Sequence, residues 1–154
     1  MTATATPRYQ LPYLVVSQAQ KEITHNEALL RIDALLQPMV EAVAATPPAI
    51  QTGTQAGKCW LVGTGAAGEW AGKQGQIACW NGSGWSFVAA TEGLRLRNKA
   101  LACDMIYTAS GAGSGWQTPA AINNATGGTV VDIEARLILN QLLFTLRGLG
   151  IVPA

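Results

Sequence analysis

The 154-residue chain carries 10 Lys and Arg against 9 Asp and Glu, a net charge of +1, with only 12% charged and 49% hydrophobic residues. That balance offers no basic field for nucleic acid and no polybasic patch for lipid, and no run approaches the roughly 20 apolar residues that span a bilayer. The length suits one ordinary domain with a sizeable core, and a surface so poor in charge is expected to be covered in part by other chains.

The start, MTATATPRYQ, lacks the charged and hydrophobic regions of a signal peptide, so synthesis and assembly in the cytosol are expected. Residues 1–16 read as an arm, kept extended by Pro7 and Pro12, whose Tyr13, Leu14, Val15 and Val16 need an apolar surface. Residues 17–44, SQAQKEITHNEALLRIDALLQPMVEAVA, read as a helix with Ser17 as N-cap and Gln20 completing a capping box. Pro38 either ends that helix or kinks it. A four-and-three spacing runs through Gln18, Glu22, His25, Leu29, Ile32, Leu36, Met39 and Val43, the a/d seam of a coiled coil with its apolar layers in the later half. In a symmetric oligomer Gln18, Glu22 and His25 would form polar rings that set register. The alternative is that this half of the helix packs on the chain's own sheet or lies exposed.

After the stiff linker ATPPAI the pattern changes to short strands separated by glycine-rich turns. CWLVGTGAAGEW (residues 59–70) and CWNGSGW (79–85) repeat Cys-Trp, glycine-rich tip, Trp, and each is expected to form a hairpin. In GLRLRN, Leu94 and Leu96 alternate with Arg95 and Arg97. In ALACDMIYT, Leu101, Cys103, Met105 and Tyr107 alternate with Ala102, Asp104 and Ile106. These runs predict a small antiparallel sheet or barrel. Residues 110–128 read as loop around Trp116. A second helix follows, with Asp132 near its start and Gly148, Gly150 and Pro153 breaking it; Ala135, Leu139, Leu142, Leu146 and Leu149 repeat the four-and-three seam. Ile138, Leu143 and Phe144 spread apolar surface around that seam, so burial by more than one neighbour is expected.

Little here points to catalysis. His25 is the single histidine and has no nucleophile at helical spacing, there is no nucleotide-binding fingerprint, and GTGAAG (63–68) lacks the helix start of a phosphate cradle. Cys59, Cys79 and Cys103 have no zinc-like spacing and are expected to be buried reduced thiols; no metal or cofactor is expected. Trp60, Trp80 and Trp85 fit core or cross-strand pairs of a small sheet, although exposed indoles stack on sugars. Trp70, Trp85 and Trp116 are therefore the candidate glycan contacts.

SQAQKEITHNEALLRIDAL (17–35), preceded by LPYL, resembles the opening signature of an uncharacterised domain family found in tail-fibre, spike and related virion proteins of phages, prophages and gene transfer agents. Residues 59–93 are similar to the middle of that family, and the ending VVDIEARLILNQLLFTLRGLGIV is similar to helices that close many phage fibre and spike polypeptides. The resemblance implies a virion structural or adhesion part and brings no catalytic residues. Relatives are often longer, which for this chain implies a base, a connector or a minimal spike.

The expectation is thus an α+β protein: arm and coiled-coil-like oligomerisation helix (1–46), Trp-rich antiparallel β domain (47–128) and C-terminal helix (129–154) packing through Leu139, Leu142 and Leu146. A homotrimer is expected, three by analogy with phage fibres. The expected partners are its own copies, other virion proteins and, through the tryptophans, host surface polysaccharide, in a virion assembled in the bacterial cytoplasm. No nucleic acid and no membrane insertion are expected.

Overall fold

The computed structural model describes Thr6, Leu11, Tyr13 and residues 21–49, 55–110, 114–127 and 132–153. Ser17, Gln18 and Gln20 lie outside the described residues, as does the side chain of Glu22. The chain is α+β, with two helices and two small mixed sheets.

Helix α1, Lys21–Leu36, stops just before Pro38. Proline lacks an N–H and disfavours α geometry at the residue before it, here Gln37. The chain then turns extended as β1 (Met39–Val40) and β2 (Val43–Ala44). Met39 and Val43 are therefore strand residues, and the helical seam ends at Leu36.

Four more strands of the expected runs follow as β3 (Cys59–Val62), β4 (Ile77–Trp80), β5 (Trp85–Val88) and β6 (Arg95–Asn98). After them come β7 (Cys103–Thr108), β8 (Gly115–Gln117) and helix α2 (Ile133–Gly148). One sheet has the order β1-β6-β7-β8 and the other β2-β3-β4-β5. The hairpins are antiparallel, but β1 runs parallel to β6 and β2 parallel to β3, so neither sheet is purely antiparallel. The extended stretch 38–44 also belongs to both. The amides of Arg97 and Lys99 donate to the carbonyls of Pro38 and Val40 (2.9 and 3.0 Å), while those of Leu61 and Gly63 donate to Ala42 and Ala44 (3.0 and 2.8 Å). Between these, the Glu41 amide donates to the Cys59 carbonyl at 2.8 Å and its carboxylate receives both contacts of Lys99 Nζ at 2.8 Å.

The two sheets bury one core between them, formed by Val40, Leu61, Ile77, Leu96 and Met105 and closed by Ala34 of α1. Period-2 alternation turns the opposite face of the second sheet outward with Trp60, Val62, Ala78, Trp80, Trp85 and Phe87. CWNGSGW is a hairpin, with Trp80 opposite Trp85. CWLVGTGAAGEW is not: β3 ends at Val62, and Gly68–Trp70 forms a short 3-10 turn inside the long connection to β4.

The cysteines correct the sequence reading. Cys59 and Cys79 sit at one register position of β3 and β4, with Cα atoms 4.1 Å apart, and are joined as a disulfide on the inner face. Cross-strand neighbours on one face lie within bonding reach. Cys103 remains a buried free thiol whose pKa is raised by burial, with Arg97 lowering it and Asp104 raising it further. Thiol titration in denaturant should count one free group before reduction and three after it. The bridge spans a separation of 20 residues, so its loss should lower stability by about 3 kcal/mol in urea unfolding. Three free groups without reductant would show the bond absent.

Candidate functional surfaces

Helix α1 has an inner and an outer side. Asp33 and Ala34 are buried, with Asn26 and Leu30 half-buried on the same side. The Asp33 carboxylate accepts a 2.8 Å bond from the Thr6 hydroxyl, and Thr6 and Leu11 are tied by two further bonds of 2.9 and 3.0 Å. This ties Thr6, and through it Leu11, to the helix. Burial, and then the charge of Asp33, raise the pKa of the Tyr13 phenol. Of the seam residues, Leu29 is half-buried and His25 exposed, while Ile32 and Leu36 are 48% and 58% exposed. The four share the side turned away from the chain's own sheets.

The tryptophans divide. Trp85 is ringed edge-on by Trp60, Trp70 and Trp80, at 5.6, 5.0 and 5.2 Å between ring centroids. Ala78 stands on β4 between Trp60 of β3 and Phe87 of β5, and its small side chain leaves room for the indoles to meet above the sheet. Lys73 Nζ lies 5.2 Å from the Phe87 ring centre. Trp70 is fully buried, so its ring cannot stack on a sugar, and it leaves the list of glycan contacts. Trp85 is half-buried within that cluster.

Trp116 stands elsewhere. Its indole N–H donates to the Gly75 carbonyl at 2.8 Å, joining the first sheet to the β3–β4 connection, and its ring meets Tyr107 edge-on at 5.4 Å. The two rings border a groove of about 580 Å³ between the sheets, with Thr64, Gln74 and Ser114 as polar lining and Val43 and Met105 as apolar lining. Sequence reasoning singled out Trp116 without its partner. The alternation that puts Tyr107 on the Met105 face was the available signal.

Helix α2 starts at its Asp132 N-cap, whose side chain accepts from the Ala135 amide at 2.9 Å. Its end is docked on the first sheet, where the Asp104 amide donates to the Gly150 carbonyl at 2.9 Å. Gly150 has φ +70° and lies against the Arg97 guanidinium, where an added Cβ would collide. Arg97 in turn pairs with Asp104 at 3.3 Å. Leu143 is the buried residue of this helix, and Leu139 and Leu142 are more than half exposed. Among the described residues the packing expected of Leu139 and Leu142 is not completed, while Leu146, the third of that set, is half-buried.

Among the described residues no group of three or more His, Cys, Asp or Glu could hold a metal ion, and no helix is long and apolar enough to cross a membrane. Gly65 and Gly68 take positive φ as turn residues.

The arrangement defines a class: a small two-sheet α+β domain whose two helices turn apolar faces away from it. Residues 25–117, well over half of the chain, match the family described as protein of unknown function DUF2793, and the chain belongs to that family. No curated protein matches the chain.

Replacing Thr6 with Val removes a donor from the buried Asp33 carboxylate. It should cost about 1–3 kcal/mol in urea unfolding and make the bonds next to Thr6 more sensitive to limited proteolysis. An unchanged midpoint and cleavage pattern would show that the contact does not hold Thr6 on the helix.

Proposed function

We propose that the protein is a non-enzymatic structural component of a phage-like or gene-transfer-agent-like particle, a tail or head spike or fibre part that serves attachment or anchors another fibre. The observation that carries this reading is the outward face of α1. His25, Leu29, Ile32 and Leu36 keep seam spacing on the side free of the chain's own sheets, where a monomer would place charge. Copies of α1 pack on one another there, with Leu29, Ile32 and Leu36 as dry layers and His25 as a wetter one, in a homotrimer. Burying one leucine-sized side chain contributes roughly 1.5–3 kcal/mol, so three such layers per chain can offset the cost of association. The similarity of residues 17–35 and 59–93 to virion proteins supplies the setting: a particle assembled in the bacterial cytoplasm, whose other structural proteins are the further partners. On this reading the Cys59–Cys79 bond, which a reducing cytosol keeps open, closes once particles leave the cell.

Light scattering at micromolar concentration should give about three times 16.1 kDa. Ile32→Asp would place like charges together at low dielectric and should dissociate or unfold the assembly. His25→Leu removes a polar layer without opening a cavity and should keep or raise the melting temperature. An unchanged mass and fold in Ile32→Asp would mean that this face meets something other than itself.

A second reading has its own observation, the groove between the sheets. Aromatic rings beside hydroxyl and amide groups are what a pyranose binds, its apolar face against a ring and its hydroxyls to the polar lining. Here the protein is a carbohydrate-binding module for host surface polysaccharide, through Trp116 and with Trp85 as the lesser candidate. A glycan array should then show saturable binding that Trp116→Ala abolishes; an array without saturable binding leaves the structural reading alone.

A further inference from the structure

The Cys59–Cys79 bond lies where helix α1 covers the inner face of the second sheet. Ala34 of α1 packs in one cluster with both cysteines, which are 2% and 6% exposed. Leu30, Asp33 and Ala34 close over the bond from the helix side, and Gly57, Trp80 and Ser86 close in from the sheet side. The space left among them is about 10 Å³, no more than one water occupies.

The walls of that space are held differently. On the sheet side, β3 and β4 form a ladder in which Trp60 faces Ala78 and Leu61 faces Ile77, and the Ser86 hydroxyl donates to the Cys79 carbonyl at 3.2 Å. Helix α1 belongs to neither sheet. It rests on the core through Ala34 and the half-buried Leu30, and an element held by side chains of one face opens locally at lower free energy than a sheet ladder does.

We propose that α1 is a redox-linked lid on the Cys59–Cys79 pair: docked, it shields the bond from exchange, and it docks less tightly when the pair is reduced. Exchange begins with a thiolate that attacks one sulfur in line with the bond and expels the other as a thiolate. A dithiol reductant then attacks its own mixed disulfide and leaves as a cyclic disulfide, so two electrons and two protons pass from reductant to protein and two protein thiols result. A space that holds one water admits no such attacker, and the Asp33 carboxylate on its wall repels an anion. In the other direction, two unbonded sulfurs stand at van der Waals distance and need more room than a bonded pair. A close-packed surround has none to give, and the ladder holds the strands, so the room comes from α1. Such coupling is reciprocal: docking of α1 favours the bond as much as the bond favours docking. In a reducing compartment the loosened helix leaves the thiols open to an oxidant, and oxidation closes the lid over the bond just formed. The outward side of α1, with Ile32 and Leu36, is then held in one direction, whatever that side meets.

Reduction of the full, folded chain by dithiothreitol measures the lid, with freed thiols alkylated by iodoacetamide and counted by mass. The bond should be reduced about a hundredfold more slowly than in the urea-unfolded chain, and sub-denaturing urea should raise the rate much less steeply than it raises global unfolding. Leu30→Ala should speed reduction about tenfold without urea, whereas Leu143→Ala, which opens a cavity at the buried residue of α2, should not. Trypsin should cleave after Arg31 faster in the reduced protein than in the oxidised one. Reduction as fast as in the unfolded chain would overturn the shield, and so would a urea slope equal to that of global unfolding or equal acceleration by the two variants. The slope is read on the unaltered chain, so a Leu30→Ala chain that fails to fold leaves the test standing. Equal cleavage at Arg31 in both states would overturn the redox link. A chain that keeps three free thiols under oxidised glutathione would overturn both.

Discussion

The architecture depends on one short stretch of backbone, residues 38–44, which is hydrogen-bonded into both sheets. Two sheets of four short strands have little stability apart, since each buries only one modest apolar face against the other. Two consecutive strands on this one stretch, β1 in one sheet and β2 in the other, fix the spacing and register of the sheets together and place Val40, fully buried, in the common core. The same stretch fixes α1, because the helix must end where the strand begins. Pro38 serves both elements: it stops the helix and its carbonyl opens the pairing with Arg97.

The outer face of the second sheet is an aromatic layer. Four indoles meet edge to face over Ala78, and such pairs contribute about 0.5–1.5 kcal/mol each beyond area burial. The arrangement also carries a cost. Among the described residues the indole N–H groups of Trp70 and Trp80 meet no acceptor, and a buried indole donor in that position costs on the order of 1–3 kcal/mol. Trp116 differs because its N–H is satisfied by Gly75 and its ring borders open space.

Both helices carry apolar side chains where a monomer would carry charge. Ile32 and Leu36 on α1 and a larger set on α2 are open to solvent, in a chain with 12% charged residues to distribute. Exposed apolar surface arranged in helical stripes has a direction, and scattered single residues would not. That geometry links composition to the proposed assembly.

The sequence by itself determined the features with short range. Hydrophobic period located both helices and the β6 and β7 runs, Pro38 marked a point where α1 ends or kinks, Asp132 the start of α2, and the Asn-Gly-Ser-Gly tip the β4–β5 hairpin, while only the structure decided that α1 stops there and that Met39 and Val43 are strand residues. The α+β class followed from these. Tertiary structure alone decided which strands join which sheet, because a two-residue strand such as β1 or β2 has no periodicity to read and exists only through its partners. It decided that Cys59 and Cys79 pair, which requires the register of β3 on β4, and that Trp70 is interior, which requires the 3-10 turn to fold back over the sheet. It also decided the orientation of α2: the spacing of leucines defines a stripe, but only the bonds of Arg136, Asn140 and Arg147 to residues 122–127 show that the polar side faces in. Local pattern is set by the steric and hydrogen-bonding preferences of adjacent residues, whereas pairing and facing are set by long-range contacts that no window of sequence contains.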